Sequence, residues 1–153
     1  MAKRNILLKD NPALRMISRP VREITPRIRT LLDDMTETMR AAEGVGLAAP
    51  QVGVLRRVVV VETEPGTVYE LINPEILESE GDQYNLEGCL SAPGEMGYTH
   101  RPMSVRVRAM DRTGAIRDYS VSGFTAQAFC HEIDHLDGIL YLDKADMVEP
   151  EER

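Results

Sequence analysis

Two histidines four positions apart constrain this chain more than any other feature. They stand in His131-Glu132-Ile133-Asp134-His135. A helix advances about 100° and 1.5 Å per residue, so the two imidazoles fall within about 40° of each other, roughly 6 Å apart along the axis. Placed so, they can ligate one metal ion, and the fold must bring further ligands to this helix face. Glu132 lies about 80° to one side, too far round for an ideal third ligand but within reach of a metal-bound water, as a general base must be. The pattern is helical from Phe124 to His135, and Asp137-Gly138 supplies a stop.

The third ligand is a matter of elimination. The chain has three histidines, and the remaining one is His100. No further histidine follows the pair, as the metzincin pattern requires. Glu149, Glu151 and Glu152 lie in an acidic tail, Asp146 to Arg153, that is expected to fray. Cys89 is the better candidate, in Leu86-Glu87-Gly88-Cys89-Leu90-Ser91, where Gly88 lets backbone approach closely. One thiolate and two imidazoles leave a coordination position open for water, the layout of a catalytic site. Alone, Cys89 would read as a small buried hydrophobe. Cys130 is turned about 120° from the ligand face and reads as core. Phe124, Gln127 and Ala128 fall on the ligand face, as pocket walls or as ordinary core. A third segment, Gly44-Val45-Gly46-Leu47-Ala48-Ala49-Pro50-Gln51, lets backbone approach a ligand. Gln51 can offer its amide N–H to a developing oxyanion. Alone, the segment reads as a helix stop and a packed turn.

The rest of the chain reads as one α+β domain over residues 1–153. Residues 10–24 form an irregular arm. Thr25-Pro26 opens a helix carried by Ile28, Leu31, Leu32, Met35 and Met39 and ended by Gly44. Strands are expected at Arg57–Glu62, Tyr69–Ile72, Val105–Met110 and Ile116–Val121. With 42% apolar and 28% charged residues the composition is that of a globular protein. A net charge of −7 and a pI near 5.0 argue against non-specific nucleic-acid binding. No run approaches the roughly 20 apolar residues of a membrane span, and the N-terminus lacks the form of a signal peptide. Cys89 and Cys130 are therefore expected to be reduced thiols in the cytoplasm.

Taken together, the three segments resemble the peptide deformylase family: Gly44 to Gln51, Glu87 to Ser91 and His131 to His135, in order over nearly the whole chain. The resemblance implies antiparallel strands packed around a central metal-binding helix, with an N-terminal helix. It implies Cys89, His131 and His135 as ligands of one divalent metal, Fe(II) as the working ion, with zinc, nickel and cobalt also suited to the donors. Glu132 would be general base and acid as metal-bound water attacks a formyl carbon. Gln51 and the Leu90 N–H would form the oxyanion hole. Glu87 and Arg101 would form a supporting salt bridge, and Val45, Phe124 and Ala128 a methionine pocket, with Gly44, Gly46 and Gly88 close to substrate. The implied substrates are N-formyl-methionyl nascent polypeptides, the product formate, and the enzyme a cytoplasmic monomer. The chain departs from the family in three places. Cys130 precedes His131 where glutamine is common, implying a packing change. Pro93-Gly94-Glu95-Met96-Gly97 holds no basic residue for the peptide backbone. The acidic C-terminus implies weak, transient ribosome contact. Rival readings are a protease cutting internal bonds, a peptide- or metal-binding module, and a structural ion with His100 as its fourth ligand.

Overall fold

The computed structural model describes residues 2–149. Two helices and eight strands carry it: α1 Pro26–Ala41, β1 Gly46–Ala48, β2 Val58–Glu64, β3 Thr67–Glu80, β4 Gln83–Glu87, β5 Met96–Arg101, β6 Ser104–Met110, β7 Ile116–Ser122, α2 Gly123–Leu136 and β8 Asp146–Val148. Every strand pair is antiparallel. A five-stranded sheet runs β1-β2-β3-β6-β7, and a three-stranded sheet runs β4-β5-β8.

The four valines of β2 explain how the helices are arranged. Successive strand residues point to opposite faces, and Val58, Val59, Val60 and Val61 are all fully buried, so both faces of β2 are covered. Val59 and Val61 pack with Leu71, Val105 and Val107 against Ala126, Phe129, Ile133 and Leu136 of α2. Val58 and Val60 pack with Ile72 against Leu32, Met35 and Met39 of α1. Helix α2 also touches β5, and so lies between the two sheets. No helix among the described residues is long and apolar enough to cross a membrane.

Thr25 caps α1 as its sequence suggests, its hydroxyl accepting from the Ile28 N–H. The end of that helix differs from expectation. It stops at Ala41, and Glu43, not Gly44, takes the left-handed turn at φ 59°. Gly44 is needed for space, because a Cβ there would stand 2.6 Å from the Leu90 side chain. The tail also differs. Residues 146–148 do not fray but pair with Met96–Tyr98 of β5 as strand β8, giving that strand a second partner; residues 150–153 lie outside the described residues. The arm at 10–24 is largely irregular, and Asn73 fastens it by accepting from the Val21 N–H at 2.8 Å and donating to its carbonyl at 2.7 Å.

At the end of α2 the arm and helix meet backbone to backbone. The Ser18 N–H and the Arg57 guanidinium both donate to the Leu136 carbonyl, at 2.8 and 3.0 Å. Gly138 turns the chain away at φ 74°, and a Cβ on it would lie 2.5 Å from the Arg15 carbonyl oxygen. Gly138→Ala is therefore expected to cost about 2–3 kcal/mol, seen as a fall of roughly 5–10 °C in melting temperature. An unchanged melting curve would show that arm and helix can part at no cost.

Candidate metal centre

Three segments converge on one face of α2. The rings of His131 and His135 lie with centroids 5.0 Å apart, and both residues are buried. The loop after β4 brings in Cys89, whose Sγ stands 3.4 Å from His135 Nε2. The ligand atoms of Cys89, His131 and His135 all lie within 4.8 Å of one another, close enough to share one ion. His100 and Cys130 are elsewhere. His100 is exposed and paired with Asp82 at 3.0 Å. Cys130 packs in the core with Ile133 and Leu136, where burial pushes its thiol up to about 11.

The orientation of His131 is set by a buried carboxylate. Its Nδ1 hydrogen-bonds Glu87, which leaves Nε2 on the side of Cys89 and Glu132. Glu87 also accepts from Thr99 at 2.7 Å and from Arg101 at 2.7 and 3.2 Å. Arg101 in turn reaches Asp134 on α2 at 2.7 Å. Burial alone would raise the Glu87 carboxyl, but the hydrogen bonds from His131 and Arg101 outweigh it and hold the group at about 2. Thr99 and Asp134 were not singled out in the sequence. Asp134 sits between the two histidines, and the buried arginine of β5 is the charge it serves.

Glu132 occupies a different environment. Burial pushes its carboxyl up to about 7. Its Oε1 is buried with no hydrogen-bond partner among the described residues. Gly46 makes room for it, since a Cβ there would stand 2.5 Å from Oε2. Burial would lower His131, but Glu132, Cys89 and Glu87 overcome it and raise its affinity for a proton. Burial and the His131 charge hold His135 neutral. A point where the surrounding groups favour positive charge, beside a neutral imidazole and a thiol, fits a bound divalent cation.

Gln51 is held by three contacts. Its Oε1 accepts from the Ala48 N–H at 2.9 Å, so Nε2 faces Ser91 Oγ at 3.0 Å and Cys89 Sγ at 3.6 Å. The Leu90 N–H makes no hydrogen bond among the described residues. Over this centre opens a cavity of about 320 Å³ lined by Gly44, Val45, Gly46, Gly88, Cys89, Leu90, Phe124, Ala128, His131 and Glu132, of a size for a small ligand or side chain. Leu86 and Met96 also line it, and neither was foreseen; Gly88 is small because a Cβ would meet Met96 Sδ at 2.8 Å. Phe124 is half exposed at the rim, and Gln127 is fixed by donating to the Leu86 carbonyl at 3.2 Å. In the segment 93–97, Glu95 meets Lys9, just before the arm, at 2.7 Å, so a cation does reach this loop from a distant part of the sequence.

The polypeptide deformylase family model matches residues 3–151. A peptide deformylase of Alkaliphilus metalliredigens is 53% identical over 144 residues, covering 94% of this chain and 97% of that protein. One of Acetivibrio thermocellus is 56% identical over 144 residues, covering 94% and 84%. The crystal structure of peptide deformylase from Thermotoga maritima superposes with a TM-score of 0.92 at 33% identity, over 95% of this chain and 99% of that one.

Removing Glu87 tests the role of its carboxylate. In Glu87→Ala the buried Arg101 loses its main partner and His131 its anchor. Breaking such a pair from one side costs about 3–5 kcal/mol, and losing the carboxylate behind a metal-ligating histidine weakens metal affinity roughly 10- to 100-fold. Urea unfolding and competitive chelation measure the two, and wild-type values in both would remove Glu87 from the centre.

Proposed function

Because the chain belongs to the polypeptide deformylase family, metallohydrolases that remove N-terminal formyl groups, we propose that its substrates are new polypeptides beginning with formyl-methionine. The supporting observation is the partnerless Glu132 oxygen beside the Cys89–His131–His135 cluster, under an open cavity. Residues 1–153 act as one catalytic domain, a reading supported by the family match over residues 3–151.

Cys89, His131 and His135 hold one divalent metal, Fe(II) in the working enzyme, with zinc, nickel or cobalt as substitutes that suit the same donors. When bound, the metal supplies Lewis acidity and lowers the pKa of water at the site toward about 7. Glu132 does the proton work. It takes a proton from the water that attacks the formyl carbon, and gives one to the nitrogen as the C–N bond breaks, so formate and a free amine leave. Its elevated affinity for protons near neutrality suits both halves of that task. The Gln51 amide and the Leu90 N–H donate to the carbonyl oxygen as negative charge develops there. The Ala48 N–H matters because it occupies Gln51 Oε1 and so fixes which end of the amide donates.

Val45, Phe124 and Ala128 hold the methionine side chain, and Gly44, Gly46 and Gly88 leave room for substrate backbone. The Glu87–Arg101 pair braces the cysteine loop against β5. The formyl carbon bears only hydrogen, so a site closely fitted around Glu132 discriminates against the extra methyl of an acetyl group. The enzyme works in the cytoplasm as a monomer, with weak and transient ribosome contact and no nucleic-acid affinity of the kind a basic protein shows.

Formate release from a formyl-Met tripeptide, by protein prepared anaerobically with Fe(II), is the direct test. Glu132→Ala is expected to keep one metal per chain and lose about 10²–10⁴ in turnover. Cys89→Ala is expected to lose the metal. Turnover at the wild-type rate in Glu132→Ala, or acetyl-Met peptide cleaved as fast as formyl-Met, would refute the mechanism. Metal binding with no formate release from any formyl-Met peptide would favour a binding module.

A further inference from the structure

A second hollow, larger than the one over Cys89, lies on another part of the molecule. A cavity of about 630 Å³ lies where the arm, the start of α1 and the loop before β2 meet, and it shares no lining residue with the metal centre. Arg22, Arg27 and Arg56 stand at its wall, and Arg22 and Arg56 continue with Arg19 into an adjoining hollow of about 390 Å³.

These four arginines differ from most others in the chain. The protein is acidic, and elsewhere most of its guanidinium groups hold carboxylates: Arg15 with Asp143, Arg40 with Glu62, Arg106 and Arg108 with Asp118, Arg112 with Glu70. Arg19, Arg22, Arg27 and Arg56 make no ion pair among the described residues. Arg4, also at the wall, is already taken by Asp34 at 2.8 Å. Among the described residues the one carboxylate lining the groove, Glu23, pairs with none of the four.

The backbone forces two of them together. Arg19 and Arg56 are direct partners in a parallel bridge, fixed by Arg19 N–H to the Leu55 carbonyl and Arg57 N–H to the Arg19 carbonyl, both at 3.0 Å. Like charges directly opposite repel, and among the described residues no acid lines the hollow they share. The positive end of α1, a 16-residue helix, adds to the same field through Thr25 at the cavity wall. Beneath the charges lies an apolar floor of Val21, Ile28, Leu31, Val54 and Leu55.

We infer that this groove is a second binding site, for the phosphate chain of a small polyphosphate such as a nucleoside triphosphate. Guanidinium forks match phosphate oxygens two by two, and the cavity has the size of small-molecule sites. Four cations spread over two linked hollows suit an extended chain of phosphates better than a single anion. The apolar floor takes the uncharged part of the ligand.

Isothermal titration of the metal-loaded protein with tripolyphosphate and, separately, with ATP tests this. Both are expected to bind, more weakly as salt is raised. Tighter binding of ATP would assign the floor to the nucleoside, and equal binding would assign the site to phosphate alone, each within the inference. The double variant Arg22→Gln, Arg56→Gln should weaken binding at least about tenfold, with an unchanged melting curve. Arg29→Gln, whose guanidinium instead donates to the Arg112 carbonyl, should bind as wild type. No binding of either probe at low salt, wild-type affinity in the double variant, or affinity confined to an RNA oligonucleotide would overturn it.

Discussion

One buried carboxylate joins most of what matters in this structure. Glu87 ends β4 and accepts from Thr99 and Arg101 on β5 and from His131 on α2. Arg101 closes the circuit by returning to α2 through Asp134. The small sheet and the helix are thus connected by charge where the large sheet and the helix are connected by packing. A buried arginine with 3% of its side chain exposed cannot be left alone, so the two acids beside it are obligatory once it is there. That obligation determines where Cys89 stands, two residues beyond Glu87, and which nitrogen of His131 faces it.

The parts legible in the sequence were those governed by local rules. The spacing of His131 and His135, the Thr25 cap and the valine run at 58–61 each carry their meaning in a few adjacent residues. The small sheet did not. Met96–Arg101 alternates buried and exposed positions while Gln83–Glu87 is buried only at its two ends, and the buried residues of the two strands are Gln83, Glu87, Gly97, Thr99 and Arg101. A strand whose inner face is polar gives no hydrophobic period to read. It is stable because its inward groups satisfy each other, and that is visible only when both strands and α2 are present. Strand β8 was hidden for a related reason: its acidic sequence resembles a solvated tail, and its pairing depends on Met96–Tyr98 lying free at the sheet edge.

The candidate site divides along the same line. Its reactive groups could be picked out because few residue types can do such chemistry. The groups that hold them could not, since Ser91, Thr99 and Asp134 are ordinary residues until the fold brings them to Gln51, Glu87 and Arg101. Small residues mark the narrowest points. A Cβ on Gly46 would stand 2.5 Å from Glu132, far away in the chain, and one on Gly88 would stand 2.8 Å from Met96, across the loop that joins β4 to β5.

The segment that precedes the arm adds a temporal dimension. The Leu7 N–H donates to the Gln51 carbonyl at 2.7 Å, and the Lys9 N–H donates to the Ser91 carbonyl at 2.8 Å. An early segment thus tethers the two loops that flank the thiol, while α2, carrying both imidazoles, is made more than a hundred residues later. Contacts of such long sequence separation form late and slowly. During its own synthesis the chain therefore has no assembled centre, and the loops around Cys89 wait for the helix that completes them. The thiol and the two imidazoles come together only when α2 has packed onto those loops.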